Sequence, residues 1–188
     1  MSQSQQRLTY FLAGFLILTG VLLRVFRHYQ LIELPPNFAP VSAIAMFAAV
    51  VLPRRLALIV PLVLMAVSDW LIGWYLLPIM LTVYACFGVS VLIGFWVKRR
   101  VSIGRVIGSS LLGSVIFFLA TNAADWGFGT WYVHTPAGLL QAYAAGLPFF
   151  RNTILGDLVY TGLAFGVYGA VMVYFRRRAA LTATANGQ

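Results

Sequence analysis

From Leu8 to Phe175 the chain is a row of apolar runs, and every second run is closed by a cluster of arginine or lysine. The clusters are Arg54 and Arg55, Lys98 to Arg100, and Arg176 to Arg178. Such a pattern leaves few folds open. In hydrocarbon every backbone N–H and C=O must find a partner inside the protein, so the runs have to be helices. Only 9% of the 188 residues are charged and 61% are hydrophobic, against roughly 25% charged in a soluble domain. The length allows about six spans of roughly 20 residues with short loops. We therefore expect an all-α polytopic membrane protein, a six-transmembrane-helix bundle. Residues 1–178 would form a single integral membrane domain and 179–188 a disordered cytoplasmic tail.

The expected spans are Leu8 to Phe26, Pro40 to Leu52, Leu56 to Leu77, Pro78 to Val97, Ile103 to Leu119 and Ile154 to Phe175. The first run ends in Arg24, Arg27 and His28 without a small-x-small cleavage site, so it is expected to be a retained span. The second has only 13 residues, about 20 Å as a helix, and must tilt little, have extended ends or enter partway. Between Thr121 and Thr153 a helix from Pro136 to Phe149 is too short to cross and is expected to be interfacial or re-entrant. Glycines 104, 108 and 113, and 162, 166 and 169, form small-residue faces that should let helices approach closely.

With six spans, ten of the 13 basic residues fall on one side; Arg24, Arg27 and Arg151 fall on the other. The positive-inside rule makes the richer side cytoplasmic, with both termini. A net charge of +9 distributed in this way belongs to loops, not to a nucleic-acid surface. The expected place is the bacterial inner (cytoplasmic) membrane. All four acids lie in the outer half, with the asparagines Asn37, Asn122 and Asn152, both histidines and most of the tryptophans.

The stretch FFRNTILGDLVY (149–160) sets Arg151, Asn152 and Asp157 at or inside a span. An acid in hydrocarbon costs about 2.5–3.5 kcal/mol on insertion scales and is a functional candidate by default. Asp69 in span 3 is its counterpart. Together they suggest an outward pocket made of Asp69, Asn122, Arg151, Asn152 and Asp157, with aromatics covering the apolar part of a small ligand. The plainer reading is a structural ion pair of the acids with Arg151 or Arg24. Cys86, the single cysteine, excludes an internal disulfide and by itself is a small buried hydrophobe. No zinc spacing, nucleophile elbow or phosphate loop occurs, so no enzyme and no cofactor is expected.

The stretches NFAPVSAIAMFAA, SDWLIGW, TNAADW and HTPAGLLQAYAAGLPFFRNTILGDLVYTG resemble an uncharacterised family of transport proteins. That family is similar to the substrate-binding S-components of energy-coupling-factor (ECF) transporters. The resemblance runs from Asn37 to Gly166. It implies a bundle of ECF S-component type that takes up a vitamin-like micronutrient from outside. S-components that dock on a shared energising module carry an Ala-xxx-Ala face on span 1. Here Ala13 is followed by Ile17, so that partner is not expected. A more distant similarity, to BtuM-type cobalamin transporters, implies cobalamin as ligand. Cys86 would hold the cobalt, with His28, Asp69, Tyr84 and Arg151 around the corrin; a thiolate suits such a metal. Two other classes stay open. One is a membrane enzyme using Asp69 and Asp157 on a lipid or peptide. The other is a structural subunit of a membrane complex.

Overall fold

The computed structural model describes the backbone of residues 3–185, and the side chains of residues 3 and 5–174. Among the described residues there are six helices and no strand: α1 (Gln3–His28), α2 (Val41–Val51), α3 (Arg54–Ile72), α4 (Leu77–Lys98), α5 (Ile103–Phe128) and α6 (Pro136–Ala185). All but α2 are long and apolar enough to cross a membrane.

The short helix is the centre of the bundle. Nine of the 11 residues of α2 are buried, and it touches all five other helices. Its sequence, VSAIAMFAAVV, explains the position. Alanines keep it thin, so larger neighbours close around it. On α4, Gly94 lets the two backbones meet: a Cβ there would stand 2.6 Å from the Met46 carbonyl oxygen and 2.6 Å from Ala49 Cβ. Phe47 fills the α6 side, edge-on to Phe165 and Tyr168 at centroid distances of 5.3 and 5.8 Å. Eleven residues span about 17 Å as a helix, far less than a hydrocarbon core. Non-helical backbone is tolerated at that depth only where protein buries it or a cavity receives it. Before α2, the turn residues 37–40 line a cavity.

The helix ends separate into two groups. At the basic end, Lys98 Nζ donates to the Leu52 carbonyl at 3.1 Å, tying the end of α4 to the end of α2. Arg105 of α5 lies 4.4 Å over the Trp96 ring. At the opposite end lie His28, the start of α2, the loop after α3 and the far ends of α5 and α6.

Three expectations are corrected. The fifth helix does not stop at Leu119; it continues to Phe128. Thr121 and Asn122 donate back to the Phe117 and Phe118 carbonyls at 2.8 Å each, so their polar groups are satisfied within the helix. The segment 136–149 is no separate interfacial helix. It is continuous with the last span in the 50-residue α6, with Pro148 inside it. Arg151 turns outward and Thr153 donates back to the Phe149 carbonyl at 3.0 Å, so the polar stretch does not break the helix. The added turns lie against α5, where Phe118 stacks on Phe150 at 4.5 Å and Tyr143 donates to the Leu119 carbonyl at 3.1 Å. The expected glycine faces are open, too, except at Gly113, where a Cβ would lie 3.9 Å from Ser90 Oγ. Nothing stands within 4 Å of a Cβ built at Gly104, Gly108, Gly162, Gly166 or Gly169, while Gly20, Gly94, Gly146 and Gly156 make the close contacts.

The helical backbone of α6 reaches Ala185, into the segment read from sequence as a disordered tail. Residues 186–188 of that tail lie outside the described residues.

Candidate functional site

A cavity of about 250 Å3 opens at the end opposite the basic clusters, where α2 begins. Three parts build it. The last turns of α1 supply Arg24, Arg27 and His28. The segment Asn37–Ser42 supplies the start of α2. Thr153 and Asp157 of α6, with Phe87 and Phe117, supply a third wall, and Met65 and Ile72 of α3 also line the cavity.

The spacing of the α1 residues explains their convergence, because positions i, i+3 and i+4 share one helix face. Arg24 is also held from behind. Its Nη2 lies 2.6 Å from Asp69 Oδ1, its Nη1 contacts Met65 Sδ, and Tyr84 donates to Asp69 Oδ2 at 2.9 Å. Asp69 is fully buried and this is the only salt bridge among the described residues. The pair, with Tyr84, fastens α1, α3 and α4 together at the cavity wall. Tyr75, on the loop after α3, also lines the cavity. Desolvation, and then the nearby Asp69 carboxylate, push its phenol up to about 12, so it remains a neutral hydroxyl.

The segment before α2 is set by its prolines and by Asn37. Asn37 adopts a positive φ of 62°, a left-handed conformation that asparagine tolerates better than most residues. This turn carries Phe38 onto α6. Gly156 receives it: a Cβ there would lie 3.1 Å from Phe38 Cα. Phe38 then packs on Tyr160 at 5.3 Å. The seating brings the first turn of α2 to Asp157, whose carboxylate is within hydrogen-bonding reach of Ser42 and 2.7 Å from Ser114 Oγ. No side chain caps α2 at Pro40. Its first N–H groups have no intrahelical partner and belong to residues that line the cavity, where they favour negative charge.

A second crevice of about 170 Å3 adjoins the first through Asn37, Phe117 and Thr153, and includes Asn122 and Asp125. Among the described residues no group of three or more histidine, cysteine, aspartate or glutamate side chains is placed to hold a metal ion.

Residues 3–181 match a family described as a family of unknown function, DUF6580. The chain belongs to DUF6580. No curated protein matches it, and no solved structure does.

Of the residues picked from the sequence of this DUF6580 chain, Asp157 and His28 line the main cavity, and Asn122 lines the crevice beside it. Asp69 stands behind the wall and holds Arg24, and Tyr84 holds Asp69. Arg151 is exposed and Asn152 half-buried, and neither lines these cavities. Arg151 does not reach Asp157: the carboxylate's partners are serines of α2 and α5. Cys86 is buried on α4 outside the lining of either cavity. Sequence reasoning passed over Arg27, Ser42 and Ser114. The first had a signal in its spacing from Arg24 and His28; the two serines had none, because serine in an apolar helix usually bonds its own backbone.

Proposed function

We propose that this DUF6580 chain is a six-span, S-component-like uptake protein of the bacterial cytoplasmic membrane. The basic end, with both termini, faces the cytoplasm, and the cavity at the start of α2 receives a small vitamin-like micronutrient from outside. The observation that carries this reading is that cavity. A broken path into a short helix places uncapped N–H groups beside Arg24, Arg27 and His28. Half-helices of this kind bind acidic substrate groups in membrane transporters. An acidic group would sit against these donors, and the rest of the ligand against Phe87, Phe117 and Phe38.

The size supports a small ligand. About 250 Å3 lies just under the 300–1,000 Å3 usual for ligand pockets. A corrin would need the walls to part, and Cys86 would have to turn from its buried position to reach cobalt. Cobalamin, the ligand implied by resemblance, therefore becomes the second choice.

The test is to express the protein in vitamin-supplemented medium containing cobalamin and purify it in mild detergent. Released small molecules are then identified by mass spectrometry, and the visible spectrum is recorded. We expect a small acid, retained at least tenfold more weakly by Arg27→Ala. A corrin absorbance lost in Cys86→Ala would instead establish cobalamin. Turnover of a lipid or peptide dependent on Asp157, with no ligand retained, would replace uptake by the enzyme reading. A tight protein partner and no ligand would replace it by the structural-subunit reading.

A further inference from the structure

Asp157 faces two spaces. One is the ligand cavity. The other is a narrow crevice of about 10 Å3 on the side toward the basic end, where Ser42, Ser90, Ser109, Ser110 and Thr161 stand among apolar side chains of α2 and α4. That is about the room of a single water molecule. Asp157 is 2% exposed, and no cation among the described residues is paired with it. A lone buried carboxylate is costly in hydrocarbon unless it is neutralised.

The spacing of the oxygen atoms indicates how. Ser114 Oγ lies 2.7 Å from Asp157 Oδ2 and 3.1 Å from the Ser110 carbonyl. Both are acceptors when the aspartate is ionised, and a serine hydroxyl has one hydrogen. Both contacts are satisfied when Asp157 carries a proton and donates it to Ser114 Oγ, while Ser114 donates to Ser110. Beyond this pair the hydroxyls continue. Ser110 Oγ is 3.5 Å from Thr161 Oγ1, and Ser109 Oγ, 4% exposed, is buried without a partner beside the same crevice. An unpaired hydroxyl at a water-sized space marks a place for a proton-carrying water. The charged or titratable groups that share the ligand cavity with Asp157 are Arg24, Arg27 and His28 of α1 and Tyr75 of the loop after α3; α2, α4, α5 and α6 add only hydroxyls and apolar groups to its surroundings.

We propose that Asp157 is a proton-binding site that couples uptake to the proton gradient, passing a proton from the outer cavity to the hydroxyl-lined crevice. The step is a proton transfer alone: the carboxylate takes H+ from water in the outer cavity and later gives it to a water of the crevice. A neutral Asp157 also removes the repulsion that an acidic ligand at the start of α2 would meet. The coupling role rests on the uptake reading, whereas proton binding does not.

Infrared difference spectra of the purified protein, taken as pH is stepped, test the site without any ligand. We expect the C=O band of a protonated carboxyl at neutral pH, lost in alkali, absent in Asp157→Asn and unchanged in Glu33→Gln. Ser114→Ala should displace the band, which decides the matter even where the asparagine variant does not fold. The proposal is overturned by a wild-type protein without the band at neutral pH, or by a band that survives Asp157→Asn. It is overturned equally by a band removed by sodium at constant pH, which would mark a sodium site. A band in a protein that retains no ligand would sink the uptake reading and leave the proton site standing.

Discussion

The two buried aspartates sit in opposite circumstances. Asp69, between α1, α3 and α4, has a guanidinium at 2.6 Å and a phenol at 2.9 Å, and lines neither the main cavity nor the crevice beside it. Asp157, between α2, α5 and α6, has only hydroxyls and lies between two spaces. Sequence alone makes them look alike, since each is an acid a few residues inside an apolar run. The difference teaches that a buried charge serves structure when its counter-charge is already in place, and chemistry when the counter-charge must arrive.

That contrast can be broken by experiment. The largest effect is expected at the fastened acid. Asp69→Ala leaves the half-buried Arg24 without its carboxylate, and should lower stability by about 3 kcal/mol in denaturant unfolding of the detergent-solubilised protein. Adding Arg24→Met to Asp69→Leu should recover most of the loss, because an apolar pair of similar volume is often neutral or better. If the double variant is as unstable as the single one, the pair is not an isolated fastening. Next comes Tyr84→Phe, which takes one hydrogen bond from a charged acceptor and should cost about 1.5–3 kcal/mol. On the other side of the comparison, Ser114→Ala should cost only about 1 kcal/mol. Asp157→Asn should be smallest, under about 1 kcal/mol, since the amide keeps the shape and can donate to Ser114 as the protonated acid does. A loss at Asp157→Asn as large as at Asp69→Ala would show two structural acids and no difference of role.

Much of the architecture was legible in the residues. The apolar runs and basic clusters located all six helices, including the short one, and the polar residues of one end marked where a cavity would be. What misled was polarity read as a break. Thr121, Asn122 and Thr153 hydrogen-bond their own helix carbonyls, so they cost α5 and α6 nothing and the helices run through them. The glycine spacing misled for a related reason. A small residue permits close approach but does not create a partner, and Gly162, Gly166 and Gly169 face none. The site itself was half legible. Asp157 and His28 declare themselves by chemistry, and Arg27 by spacing. The apposition of Ser42 and Ser114 with Asp157 depends on how Phe38 seats on Gly156, a contact between segments more than 100 residues apart in the chain.

The central position of α2 bears on how the protein is made. A membrane inserts a segment on its own merits when about 20 apolar residues suffice to cross; with 11, α2 does not reach that length. Its partners α4, α5 and α6 all follow it in the chain. The ribosome therefore delivers the keystone before the stones that hold it. Residues 29–53 should wait at the surface as a tethered hairpin between α1 and α3, and sink only when the later helices have formed a slot. The last step of assembly would then also be the one that creates the cavity, so a protein without its final helix would lack not just one wall but the whole entrance.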